Sequence, residues 1–420
     1  MMARTVATLA VIVGFLIYIY AANVYVAQTY FNRGKSAGTA VPFTQQIQQI
    51  TQTITQYMQI AVIAVLALVT VNIVLKSRKI LGVIPFKDIQ RHLLLLGPTG
   101  AGKTTIAKDI IRRAVGKGVK ITVIDWKGEY VDYIRGATVI RKTNLWDVGG
   151  RNSTERALIA IEIIREVTRD IAEISSVSST LLLRELVKLY REKQKPTTKD
   201  VVERVDRFMQ TALTERRLAE ANMAAAILRR LYWLVLDEER PDENVYGNPA
   251  VTVYDLSSTG SNYLKTLYSL AILSRKYYEA LRRGPVDRLD EVIISEECQN
   301  YVRGRRFDDP PSIGERIVNE LRSYGVGVLL ITPDPAQIPS HISRDVGGLV
   351  AVGSQSLPDF LEQMRHRYTR RGWETLGRTN SMFVYHRSKL TVVRFKPRPL
   401  KPIRLKAVEA PIGAWQPLGR

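Results

Sequence analysis

The chain has 420 residues, 45% of them hydrophobic, so it holds enough apolar side chains for a real core and general disorder is excluded. A formal net charge of +21 points to polyanionic partners or an anionic membrane surface. Cys298 is the one cysteine, which excludes an internal disulfide framework and any cysteine-built metal site.

Residues 5–27 are almost wholly apolar, interrupted by Thr8 and Asn23. At about 1.5 Å per residue they reach across a hydrocarbon layer of about 30 Å. The run is too long for a signal-peptide core, and only Arg4 supplies charge before it. Residues 58–75 form a second apolar run, whose rival reading is a buried helix of a soluble core. Lys76, Arg78 and Lys79 follow it, and no acid occurs before Asp88. The positive-inside rule then predicts a plasma-membrane hairpin in contact with lipid, with both ends cytoplasmic and residues 28–57 outside. Within that outer segment Ile47, Ile50, Ile54 and Tyr57 share one helical face. The face extends the second helix or meets a membrane channel, a pilus-type partner protein or a neighbouring subunit.

Leu93 to Leu96 read as a parallel strand buried on both faces. Gly97, Pro98, Thr99, Gly100, Ala101, Gly102, Lys103 and Thr104, followed by Thr105, fit the G-x-x-x-x-G-K-[ST] phosphate loop. Glycines let backbone N–H groups turn toward phosphate oxygens, and the next helix adds its positive end. Lys103 reaches the β- and γ-phosphates of ATP, and the Thr104 hydroxyl is a Mg²⁺ ligand. After a helix over 106–115 and a Gly116–Lys117–Gly118 turn, 119–124 predict another strand. It ends in Asp125-Trp126-Lys127-Gly128-Glu129-Tyr130, whose acids can bind Mg²⁺ through water or orient an attacking water.

Residues 150–245 alternate Leu, Ile and Ala with charged residues at helical spacing, over 155–174, 179–193, 198–212 and 215–236. They predict a helical subdomain whose charges form a solvated face or grip a substrate. Strands return at 250–256 and 291–297, separated by a helix over 263–283. The second of these strands ends in Glu296 and Glu297. An apolar strand ending in paired acids suits phosphoryl transfer: one holds Mg²⁺ through water and the next polarises the attacking water. Cys298 beside them reads as a small buried filler. Tyr301, Arg303, Arg305, Arg306 and Phe307 form a basic loop with flanking aromatics, solvated or touching a phosphate backbone.

A helix over 317–323 carries Arg322, and 326–332 predict a buried strand broken by Pro333 and Pro335. Residues 365–420 hold 14 Lys/Arg against Glu374 and Glu409, with short strands at 382–386 and 390–395. Residues 396–406 are too rich in proline for a helix and form a basic tail, solubilising or in contact with nucleic acid or acidic lipid. Repeated strand–helix–strand units predict an α/β, doubly wound, mostly parallel sheet of the P-loop (RecA-like) class. The expected divisions are 1–80 hairpin, 81–149 and 246–398 ATPase core, 150–245 helical subdomain and 399–420 tail.

In order, HLLLLGPTGAGKT, VIDWKGEY, VTVYDLSSTG, VIISEECQNYV and RSYGVGVLLIT resemble the HerA/FtsK superfamily of ring-forming, DNA-pumping ATPases, over about 84–398. That resemblance implies a hexameric ATP- and Mg²⁺-dependent enzyme acting on DNA, whose strandedness it leaves open. It implies that Glu296 is the Mg²⁺-side acid, Glu297 the catalytic base and Asp125 an essential strand-end acid. Lys103 joins them in catalysis, and Arg322 enters the neighbouring subunit's ATP site. The N-terminal β-barrel of HerA is missing, and Pro333 stands where a glutamine sensor is usual, with Gln337 nearby. A hairpin joined to a HerA-like motor is most similar to the ATPases of crenarchaeal DNA-import (Ced/Ted-type) systems, then to type IV secretion coupling proteins. A secretion or pilus-type ATPase with protein cargo is the alternative function. A membrane anchor that holds nucleotide only as a structural ligand is the third.

Overall fold

The computed structural model describes residues 79–81, 83–168, 175–238, 243–302, 311–333, 337–352 and 381–405, together with Tyr25, Thr29, Gln52 and Gln56. The chain divides into two units, Met1–Gly82 and Val83–Arg420. In the first, Tyr25, Thr29, Gln52 and Gln56 are helical, and the Thr29 hydroxyl donates to the Tyr25 carbonyl at 2.8 Å. The runs at 5–27 and 58–75 otherwise lie outside the described residues. Among the described residues no helix is long and apolar enough to cross a membrane.

The second unit is built on a nine-stranded sheet. Its strands are β1 (Leu93–Leu96), β2 (Lys120–Asp125), β3 (Ala137–Ile140), β4 (Asn248–Asp255), β5 (Glu291–Ser295), β6 (Val326–Thr332), β7 (Gly348–Val352), β8 (Ser381–His386) and β9 (Lys389–Arg394). Their spatial order is β9-β8-β7-β1-β6-β5-β2-β4-β3. From β7 to β3 every neighbouring pair is parallel, while β8 and β9 close one side as an antiparallel ribbon. Strands β1, β5, β6 and β7 are buried at every residue. Continuous apolar runs are what strands covered on both faces require.

Between the strands run α1 (Lys103–Val115), α2 (Ser153–Thr168), α3 (Ser176–Glu192), α4 (Thr198–Thr214), α5 (Leu218–Glu238), α6 (Asn262–Arg283), α7 (Ile313–Glu320) and α8 (Ser340–Asp345). Helices α2 to α5 occupy the stretch read as a helical subdomain. They share one apolar cluster with the sheet, in which Ile163, Leu186 and Ile227 join Leu94, Ile124 and Leu330. Buried Trp146 ties the block down: its indole donates to the Thr198 hydroxyl at 2.9 Å, and its carbonyl accepts from Tyr190 at 2.9 Å. Helix α4 starts in a capping box between Thr197 and Asp200.

Arg322 does not sit in the helix expected over 317–323. That helix is α7, ending at Glu320, and Arg322 falls in a 3-10 turn, Leu321–Tyr324. The turn carries the chain into Gly325, whose φ of 71° favours glycine and where a Cβ would lie 2.5 Å from the Arg288 carbonyl oxygen. Truncation on the central strand tests the packing: Leu95→Ala should cost about 3 kcal/mol in denaturant unfolding, because Leu95 is fully buried.

Candidate active site

Parallel register decides what meets at the site. Asp125 pairs with Asp255 across β2 and β4, and Ile124 pairs with Ser295 across β2 and β5. Asp125, Asp255 and Glu296 therefore reach the carboxyl ends of three adjacent strands at one level. Strand β1 is two places from β5 and delivers the phosphate loop to the same edge. Open parallel sheets bind ligands at this edge.

Helix α1 begins from Gly102, which has a φ of 98° and no side chain to cap the first-turn N–H groups. These groups are left to a ligand. Gly97 is required for another reason: a Cβ there would lie 2.2 Å from the Val352 carbonyl oxygen at the end of β7. The Lys103 ammonium folds over the loop and donates to the carbonyls of Gly97 at 2.6 Å and Pro98 at 2.9 Å. Burial lowers its pKa and the Lys127 charge adds to this, whereas Glu297, Glu296 and Glu129 act in the opposite sense. Thr104 and Thr105, in the first turn, are half-buried.

Asp125 is fully buried. Its Oδ1 accepts the N–H groups of Lys127 at 3.1 Å, Gly128 at 2.8 Å and Glu129 at 3.2 Å, and its Oδ2 that of Tyr130 at 2.9 Å. Burial raises its pKa against the pull of these four bonds. Both oxygens accept from the backbone, so Asp125, expected as an essential strand-end acid, also shapes the loop.

The acidic pair divides into two environments. Glu296 is buried, accepts from the Tyr130 hydroxyl at 3.1 Å through Oε1, and leaves Oε2 without a hydrogen bond. Burial, then the Asp125 and Glu129 charges, push its pKa up to about 8. Glu297 adopts a left-handed φ of 50°. It pairs with Lys127 at 2.8 Å and accepts from the Gln299 amide at 2.7 Å. Burial opposes ionisation here, but the bonds from Lys127 and Gln299 outweigh it and the pKa falls. The two carboxyls are thus shifted in opposite directions, the separation that acid–base work at one site needs.

Lys127 and Tyr130 were quoted in the motif without roles; the structure gives each a carboxylate. The VYDLSSTG segment braces the same loop. The Ser257 hydroxyl donates to Asp255 at 2.6 Å, Arg141 pairs with Asp255 at 3.1 Å, and the Lys265 ammonium donates to the Trp126 carbonyl at 2.9 Å. An aspartate two residues before a serine is a local turn signal that could have been read.

Other expectations land elsewhere. Arg322 is exposed and directly precedes β6, at the amino ends of the strands. At about 3.3 Å per residue along β6, it is about 20 Å from the phosphate loop of its own chain. Its charge, after burial, lowers the pKa of nearby His92 to about 4. Tyr301, expected to flank a basic nucleic-acid loop, is fully buried with its hydroxyl donating to Ser295, so it cannot stack on a base. Residues 303–310 and 365–371 lie outside the described residues. Cys298 is buried, and burial pushes its thiol pKa far up. Pro333 follows β6 directly, and Gln337 is exposed.

Residues 77–275 match the family model "Helicase HerA, central domain". Over this stretch the chain is similar to the HerA family, in agreement with the resemblance carried by its motifs. No curated protein matches the sequence. Among solved structures, VirB4 of Thermoanaerobacter pseudethanolicus is similar with a TM-score of 0.57 at 16% identity, covering 73% of this chain and 90% of that one. The bacterial conjugative coupling protein TrwB gives 0.57 at 16% identity, covering 77% and 91%. TrwB with the non-hydrolysable ATP analogue ADPNP gives 0.56 at 15%, covering 79% and 92%. At these identities the likeness is one of fold, a parallel-dominated α/β core consistent with a P-loop, RecA-like ATPase.

Glu296 offers a pH test. A carboxyl whose folded pKa lies above its unfolded value stabilises the fold while protonated, fully below about 4.5, and loses that contribution as pH rises through about 8. Glu296→Gln, measured without nucleotide or divalent ion, should therefore gain stability over wild type between about pH 5 and pH 9. The gain should be on the order of 2 kcal/mol in thermal unfolding.

Proposed function

We propose that this chain is a membrane-anchored, ring-forming ATPase that couples ATP hydrolysis to moving DNA across or at the membrane. The observation that carries the reading is the meeting of the Lys103 loop with an acidic pair shifted in opposite directions on a HerA-type sheet. The apolar runs at 5–27 and 58–75, with Lys76, Arg78 and Lys79 behind the second, support the anchor and a cytoplasmic site. The basic C-terminal residues suit a polyanion. The hairpin joined to a HerA-like motor favours the crenarchaeal DNA-import type, with type IV secretion coupling proteins second.

In this reading the triphosphate lies along the N–H groups of residues 100–104, and Lys103 exchanges its two carbonyl partners for phosphate oxygens. Mg²⁺ fits the donors present: the Thr104 hydroxyl, and Glu296, whose Oε2 has no hydrogen-bond partner and which would give up its proton to the ion's field. When bound, the ion offsets phosphate charge. Glu297, held ionised by Lys127, accepts the proton of the attacking water. Tyr130 keeps Glu296 oriented through its 3.1 Å hydrogen bond. Arg322, remote from its own loop, acts on the neighbouring subunit's ATP, as closed heterologous rings allow.

A pump for protein cargo is the second reading, and DNA stimulation separates the two. Lys103→Ala and Glu297→Gln should each lower phosphate release at least a hundredfold, with Glu297→Gln still binding ATP. Duplex or single-stranded DNA should raise wild-type turnover several-fold. Turnover indifferent to both forms of DNA would move the cargo assignment to protein. Unchanged turnover in either variant would remove that residue from catalysis.

A further inference from the structure

Beyond β9 the chain turns back onto its own phosphate loop. A Cβ placed on Gly102 would lie 2.8 Å from Cε1 of Phe395, 2.9 Å from Cβ of Pro397 and 3.0 Å from its Cγ. The bare backbone of Gly102 and the two side chains are thus in direct contact. The segment then crosses α1, where the Lys401 carbonyl accepts from Arg112 at 2.5 Å. It ends in a short parallel pairing of Ile403–Arg404 with Ile134–Arg135. There the Ile403 N–H donates to Tyr133 at 2.7 Å and the Leu405 N–H to Arg135 at 3.0 Å. Residues 395–405 form a strap fixed at the phosphate loop, on α1 and beside the Asp125 loop. Pro397, Pro399 and Pro402 keep it extended, so little conformational freedom remains to be lost when a ligand packs on it.

The position on the loop matters chemically. Gly102 precedes the lysine and opens the helix whose first N–H groups take the phosphates. A nucleoside attached to those phosphates leaves the loop beside this first turn. Phe395 and Pro397, both half-buried, present an aromatic and an aliphatic ring at that point. Aromatic side chains stack on any base, because every base has a π-face.

We infer that Phe395 and Pro397 form the nucleoside wall of the ATP site, the base of the bound triphosphate packing on Phe395. The inference rests on the nucleotide site described above and adds to it the part that recognises more than phosphate. It also gives the C-terminal strap a ligand: bound nucleotide holds the strap down, and a docked strap holds the nucleotide, in equal measure.

The test compares ATP with inorganic tripolyphosphate, which has the phosphates and no nucleoside, by calorimetric titration of the full-length protein. Phe395→Ala should weaken ATP about tenfold and leave tripolyphosphate unchanged. Phe395→Trp should keep ATP affinity, with its fluorescence altered by ATP and not by tripolyphosphate, which also shows that the strap tolerates replacement. Unchanged ATP affinity in Phe395→Ala would overturn the wall. Equal weakening of both ligands would overturn it too, leaving Phe395 as a brace of the loop. Tighter ATP binding would make the strap an obstruction instead. Lys103→Ala should lose both ligands. If wild type takes neither ligand, the nucleotide site fails and the wall falls with it; if it takes both through Lys103 without discriminating, only the wall falls.

Discussion

The structure depends on one buried carboxylate. Asp125 gathers four consecutive backbone N–H groups at the end of a central strand and so forces the chain into a tight loop over its own side chain. That loop is where Lys127 and Tyr130 acquire their directions. Lys127 points at Glu297, and Tyr130 at Glu296. Without the capture of these N–H groups, neither carboxylate would have its partner, and the two would not be shifted in opposite directions.

Electrostatics follow from that geometry. Three acids, Asp125, Glu129 and Glu296, act on one another in a space mostly closed to water, so one of them must keep a proton near neutral pH. Glu296 is pushed that way by burial and by the Asp125 and Glu129 charges, which outweigh the Tyr130 hydrogen bond and the Lys127 charge. Glu297, one residue on, has an ammonium at 2.8 Å and stays charged. Lys103 lies in the same field, its charge facing Lys127 as well as the acids. The strap at 395–405 adds a second element in contact with the loop, on the side where a nucleoside would emerge.

Much of this was legible in the sequence, and the reasons differ by element. The phosphate loop was readable because glycine spacing is imposed by backbone geometry that few other sequences meet. The strands ending in Asp125 and Glu296 were readable because burial on both faces demands unbroken apolar runs. Strand β3, Ala137–Ile140, and β7, Gly348–Val352, were not read, since three or four apolar side chains among turn residues carry no periodicity. The role of Asp125 was hidden because its partners are backbone groups, which have no sequence signature. Tyr301 misled, because an aromatic next to arginines looks like a nucleic-acid contact until its burial is known. The strap looked like a tail, since prolines report only that a helix is excluded, not what an extended segment lies against.

The direct measurement is amide hydrogen exchange across residues 127–130, in wild type and in Asp125→Asn, alongside ATP turnover. The substitution keeps an acceptor at Oδ1 and turns an amide N–H₂ toward the Tyr130 N–H. Exchange should quicken over this loop, most of all at Tyr130, and turnover should fall at least tenfold while ATP binding persists. Protection left intact at all four amides, with the loss confined to the Mg²⁺ requirement, would contradict it and return Asp125 to the metal.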